Sequence, residues 1–218
     1  MPVQAIVFDL DGLMVDSEPI AKQAWRTLLA RYGHVLDKDT VNDLFGLRLA
    51  DSSRLVKERF ELPLTIEQLA AEKSEIFLAS LDGNLRPMPG LFGLLRAVDS
   101  RGLLRAVATS SRGDCALAAL RIIGVDDGFA ALITADLVQN GKPAPDSYLA
   151  AADALSLPPS ACLALEDSPY GVQAAKAAGM RCVAVPNEIT AELDLGEADW
   201  LFPSLDAVAE NLDRLVQI

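Results

Sequence analysis

Asp9-Leu10-Asp11-Gly12 carries the strongest chemical signal in the chain, and Asp16-Ser17-Glu18 follows it closely. The two aspartates come directly after the apolar run Ala5-Ile6-Val7-Phe8. Residues two apart on a strand share a side, so Asp9 and Asp11 are expected to project together where a first strand ends. Two adjacent carboxylates repel, and an isolated pair would hold a shared proton. A hard cation such as Mg2+ changes that by taking oxygen ligands and keeping a carboxylate ionised. The same residues would also make an ordinary acidic turn at Asp11-Gly12.

Three later clusters bear on that choice. Thr109-Ser110-Ser111 follows the apolar run 104–108 and offers hydroxyls and amides to a phosphate, or caps to a helix. Gly141-Lys142-Pro143-Ala144-Pro145-Asp146 places a lysine where a loop enters a helix. Leu165-Glu166-Asp167-Ser168, with Gly171 beyond, puts two carboxylates after another apolar run. An acidic pair is also what a helix N-terminus favours. Each cluster is ambiguous alone. Four polar clusters that each follow a buried strand point to one site at the C-terminal edge of a sheet, where ligands of open α/β sheets sit.

The elements that must position them follow from the apolar patterning. Runs at 5–9, 104–108, 131–133, 161–165 and 181–185 read as short buried strands. Helical patterns at 116–123, 146–155 and 172–178 lie between them. That alternation predicts an α/β fold, a Rossmann-like parallel sheet with helices on both faces. The stretch 15–86 breaks the rhythm. Ser17 is placed to cap a helix whose Ala21, Ala24, Trp25, Leu28, Leu29 and Tyr32 share one face, with Trp25 in its core. Residues 49–60 form another amphipathic candidate, and Thr65-Ile66-Glu67-Gln68 fits a capping box before a helix at 69–81. The organisation expected is an α/β core of 1–14 and 87–218, with an all-α insertion at 15–86. Trp200 and Phe202 are expected to close the sheet near the C-terminus.

Composition limits what such a chain can do. Its 218 residues are 51% hydrophobic and 23% charged, the balance of a globular protein able to bury roughly 70% of its unfolded surface. A net charge of −12 disfavours nucleic acid and anionic membrane as partners. Binding a phosphorylated metabolite then requires local positive charge from a metal, a lysine or a helix N-terminus. Cys115, Cys162 and Cys182 stand in apolar contexts and read as buried thiols. His34 is the only histidine and is expected in a solvated loop, which argues against a histidine-dependent triad or a zinc site. With no leader-like segment and no long apolar span, a cytoplasmic location is the expectation.

The combined motifs resemble those of the haloacid dehalogenase-like phosphatases, in the branch with a helical cap inserted after the first motif. Asp9-Leu10-Asp11-Gly12, Thr109, Lys142 and Glu166-Asp167 match the four motifs in order, over nearly the whole chain. Asp16-Ser17-Glu18 and Lys142-Pro143-Ala144-Pro145-Asp146 are similar to the β-phosphoglucomutase-like and sugar-phosphatase group. The resemblance implies a Mg2+-dependent phosphomonoester hydrolase. Asp9 would be the nucleophile that forms an aspartyl-phosphate, and Asp11 the proton donor and acceptor. Asp9, the Asp11 backbone carbonyl and Asp167 would ligate Mg2+, with Glu166 binding directly or through water. Thr109, the Ser110 amide and Lys142 would hold the phosphoryl oxygens.

Within that family, Asp11 argues against dehalogenation. The cap loop Leu44-Phe45-Gly46-Leu47-Arg48 lacks the lysine of phosphonate-cleaving members. A mutase of the β-phosphoglucomutase kind would carry a histidine where this chain has Ala21 and an arginine where it has Leu49. Both departures favour hydrolysis, with mutase chemistry as the alternative. Receiver-like signalling modules also phosphorylate an aspartate, but their acidic pair and phosphoacceptor lie on different strands, and they have no helical insertion. Glu18, Leu47 and Arg48 are the expected substrate-facing cap residues. The expected partner is a small phosphorylated metabolite, a sugar or polyol phosphate by resemblance, bound by a monomer.

Overall fold

The structure, a computed structural model, describes residues 2–44 and 47–217. Six parallel strands form one sheet: β1 (Ala5–Phe8), β2 (Leu104–Ala108), β3 (Ala131–Ile133), β4 (Cys162–Glu166), β5 (Arg181–Ala184) and β6 (Trp200–Leu201). Their spatial order is β3-β2-β1-β4-β5-β6, so the first strand lies in the middle. The five strands expected from the sequence are present, and Trp200 begins a sixth at the edge beside β5.

Alternation along each strand divides the interior into two cores. Ile6, Phe8, Val107, Leu163, Leu165 and Val183 face one side of the sheet. There they meet α5 (Leu91–Ser100), α6 (Gly113–Ile122), α9 (Leu205–Glu210) and α10 (Leu212–Val216). Ala5, Val7, Ala106, Ala108, Ala164 and Ala184 face the other side, against α7 (Asp146–Ala154) and α8 (Pro169–Ala177). Large side chains thus fill one layer, while alanines let α7 and α8 approach the sheet closely. Each fully buried Leu, Ile, Val or Phe contributes about 1.5–3 kcal/mol, so the double-sided sheet is the main source of stability.

Among the described residues of 15–86 there are four helices and no strand: α1 (Glu18–Arg31), α2 (Lys38–Leu44), α3 (Leu49–Arg59) and α4 (Ile66–Leu81). Both α1 and α3 pack on α4, and α4 also meets α6 of the sheet layers. Trp25 is buried among them, as expected. The capping box at Thr65 forms in both directions: Gln68 N–H reaches Thr65 Oγ1, and Gln68 Oε1 accepts from Thr65 N–H. Ser17 departs from expectation. It occupies the N-cap position of α1 but makes no capping bond. Its hydroxyl donates instead to Asp11 Oδ1 at 2.6 Å, a carboxylate being the stronger acceptor. The helices α2, α5, α9 and α10 are additions to those expected from the sequence. The α5 signal was present, since Leu91, Leu94, Leu95 and Val98 keep helical spacing after Gly90. His34 is half-buried with its ring tilted against Phe60, not freely solvated. All three cysteines are buried free thiols. Among the described residues no helix is long and apolar enough to cross a membrane.

Candidate active site

Strand register assembles the site. β1 aligns Phe8 with Val107 of β2 and with Leu165 of β4. The residues just beyond these pairs, Asp9, Thr109, Glu166 and Asp167, therefore meet at one edge. Asp9 N–H continues the ladder by donating to Leu165 O at 3.0 Å, which fixes its backbone one residue past the strand. The chain then reverses at Gly12, whose φ of +84° suits glycine. A Cβ there would collide with Asp167 Oδ2.

Asp9, Lys142, Glu166 and Tyr148 form a connected polar chain under this turn. Lys142 Nζ donates to Asp9 Oδ1 at 2.6 Å and to Glu166 Oε1 at 2.5 Å. Tyr148 Oη donates to the same Glu166 oxygen at 2.6 Å, and its ring lies 5.1 Å from the ammonium. Glu166 Oε2 accepts from Asp167 N–H and Ser168 Oγ. Glu166 is fully buried, so each of these bonds answers a group that water cannot reach. Burial, joined by the charges of Glu166 and Asp11, pushes Asp9 up to about 8 against the pull of Lys142. Burial works against the lysine charge too, but Asp9 and Glu166 outweigh it and hold the ammonium above its ordinary value.

Among the described residues, Asp9, Glu166 and Asp167 bring one carboxylate oxygen each within 4.8 Å of one another, and all three are buried. Burial first, then Asp9 and Glu166, hold Asp167 well above the usual carboxylate range. Three carboxylates facing a single ammonium leave two negative charges unbalanced when ionised. An all-oxygen donor set with that deficit fits a hard divalent cation.

Asp11 goes elsewhere. Its Oδ1 accepts from Ser17, and its Oδ2 accepts from Ser111 Oγ at 2.7 Å and Thr109 Oγ1 at 3.2 Å. The two aspartates line one cavity, while the Asp11 carboxylate takes hydroxyl partners of its own. The Asp11 side chain is outside the acidic trio. Thr109 also accepts from Ser111 N–H at 2.9 Å, which shapes the loop carrying Ser110.

A cavity of about 540 Å3 lies between this edge and the helices of 15–86. Asp9, Asp11, Thr109, Ser110, Lys142, Asp167, Glu18 and Leu47 all line it. Arg48 does not. It pairs with Asp51 at 3.1 Å and lies over Gly141, in a small recess beside Ser110 and Lys142. Phe45 and Gly46 of the expected cap loop lie outside the described residues. Burial, then Asp11, pushes Glu18 up to about 7. Sequence reasoning missed Lys73 of α4, which lines the cavity and which burial holds below its ordinary value. It also missed Tyr148 and Asn187, whose Nδ2 donates to Asp167 Oδ2 at 2.8 Å. No local pattern marks Tyr148, Lys73 or Asn187. Ser111 stood in a cluster already singled out.

Comparison with known proteins identifies the family. Residues 6–185 match the family described as haloacid dehalogenase-like hydrolase. The chain is 34% identical to the fructose-1-phosphate phosphatase YqaB of Escherichia coli (strain K12), covering 83% of this chain and 95% of that protein. It is 31% identical to hexitol phosphatase A of the same strain, over the whole of both chains. Among solved structures, CbbY from Rhodobacter sphaeroides in complex with phosphate superposes with a TM-score of 0.87 at 29% identity, over 94% of this chain and 96% of that one. This chain belongs to the haloacid dehalogenase-like hydrolase family, as an enzyme of its phosphatase type.

Proposed function

We propose that the protein hydrolyses a small sugar or polyol phosphate with Mg2+ bound at Asp9, Asp167 and the Asp11 backbone carbonyl. The observation that carries this reading is the Asp9–Lys142–Glu166 chain, whose Asp9 and Lys142 line the cavity while Glu166 lies buried behind them. Lys142 keeps a positive charge beside the nucleophilic oxygen, in a protein whose net charge is −12. A dianionic ester needs that charge to enter. Both oxygens of Glu166 already accept hydrogen bonds, which suits holding Lys142 in place more than direct metal ligation. When bound, Mg2+ would offset the negative charge of the carboxylates and the phosphoryl group.

Asp9 attacks phosphorus and forms an aspartyl-phosphate. Lys142, the Thr109 hydroxyl and the Ser110 amide hold the phosphoryl oxygens, and Thr109 leaves Asp11 to do so. Asp11, released from its hydroxyl partners, protonates the leaving oxygen and then takes a proton from the attacking water. Residues 15–86 act as a cap domain on a core of 1–14 and 87–218, and cap closure excludes bulk water. Glu18, Leu47 and Lys73 face the leaving group, while Arg48 steadies the cap edge over Gly141. The names of the two Escherichia coli relatives support a sugar or polyol phosphate. Ala21 and Leu49 line the cavity where a mutase would need a histidine and an arginine.

The test is phosphate release with Mg2+ across a panel of hexose and polyol phosphates, including β-glucose 1-phosphate primed with its 1,6-bisphosphate. Sustained free phosphate that EDTA stops and Mg2+ restores is the expected result. Isomerised sugar phosphate without free phosphate would overturn hydrolysis in favour of the mutase.

A further inference from the structure

Asn187 stands in the loop after β5, and its side chain ties three chain segments together. Its Nδ2 donates to Asp167 Oδ2 at 2.8 Å and to the Gly12 carbonyl at 3.1 Å. Its Oδ1 accepts from the backbone N–H groups of Ile189 and Thr190 at 2.9 and 3.0 Å. Thr190 Oγ1 in turn accepts from the Asn187 N–H at 2.9 Å. The oxygen end is thus committed to its own turn, in the manner of an Asx turn. Flipping the amide would set N–H groups against N–H groups, so both amide protons stay on Asp167 and Gly12. The fit is close: a Cβ on Gly12 would come within 2.9 Å of Nδ2 as well as striking Asp167.

We propose that Asn187 is a positioning residue that aims the Asp167 carboxylate at the divalent-cation site and fixes it to the Gly12 turn. This rests on the Mg2+ reading given above. The amide engages one carboxylate oxygen and leaves the other for the cation. It supplies a donor without a charge, so it orients Asp167 without competing for the site as a lysine or arginine would. Hydrogen-bond partners of this kind set ligand direction and metal affinity.

The experiment is calorimetric titration of Mg2+ alone into the metal-free full chain, for the wild type, Asn187→Ser and Asn187→Ala. Serine retains an oxygen for the Ile189 and Thr190 amides but is too short to reach Asp167. The proposal expects both variants to bind Mg2+ about 10-fold or more weakly. It expects N187S to stay folded in EDTA, with a cooperative melt about 2–10 °C below the wild type. Unchanged affinity in N187S would overturn it, as would weakening seen in N187A but not in N187S, which would assign the effect to the loop. A wild type that binds no Mg2+ would overturn the cation reading and this inference with it.

Discussion

Lys142 Nζ lies 2.6 Å from Asp9 Oδ1 although 133 residues separate them in sequence, and on its other side it meets the fully buried Glu166. One ammonium thus serves the end of β1 and the end of β4 together. Its side chain is only 6% exposed, so water screens the pair little. Lys142→Met leaves two buried carboxylates without their counter-charge. Breaking such a buried pair costs about 3–5 kcal/mol, which urea unfolding of the metal-free protein measures. Phosphate release is expected to fall by at least about 100-fold. A variant with near-native stability and turnover would contradict the role given to this lysine.

Gly171 leaves the room that Glu166 occupies. A Cβ at 171 would collide with the Glu166 carboxyl group. Gly171→Ala must displace that carboxylate, and with it Lys142. The expected cost is about 1–3 kcal/mol of stability, the usual price of overpacking a tight site. Turnover should drop more than stability accounts for, since Lys142 moves. Urea unfolding together with kcat measured well below the melting temperature separates the two. Full activity in this variant would mean that Glu166 does not position Lys142.

What was legible in the sequence follows from strand register. In a parallel sheet, polar residues just past neighbouring apolar runs arrive at the same edge, so Asp9, Thr109, Glu166 and Asp167 could be gathered without coordinates. Lys142 was recognisable by its place after β3 and before α7. The strand period does not show that the chain leaves the sheet after Asp9 and turns at Gly12, which gives Asp11 hydroxyl partners of its own. Ser17 sat at a helix start as expected, yet a carboxylate from another segment outcompeted the backbone for its hydroxyl. Tyr148 reads as an ordinary core residue of α7, and Asn187 as an ordinary loop residue. Their partners are 18 and 20 residues away, on β4 and just after it, and only the fold brings them together.

Glu18 gives a pH dependence with a definite sign. Its ordinary value is 4.5, and burial followed by Asp11 pushes it up to about 7 in the folded chain. Between those values the folded protein holds a proton that the unfolded chain has released. Its contribution to stability therefore falls as pH rises through that window. Glu18→Gln removes that loss. Its advantage over the wild type should be near zero at about pH 4 and complete by about pH 8. Its full size is on the order of 1–2 kcal/mol after solvent screening. Paired unfolding curves across that range check it, and a difference that stays constant with pH would contradict the shift.

The most direct test of the account is Asp9→Asn. The substitution keeps the shape of the side chain and removes the oxygen nucleophile. The measurement is phosphate release with Mg2+ from the best substrate of the sugar-phosphate panel, alongside a melting curve showing that the variant folds. The account predicts a folded protein with turnover reduced by at least about 10,000-fold, as expected for loss of the attacking group. A folded Asp9→Asn protein that keeps most of its activity would contradict nucleophilic attack by Asp9.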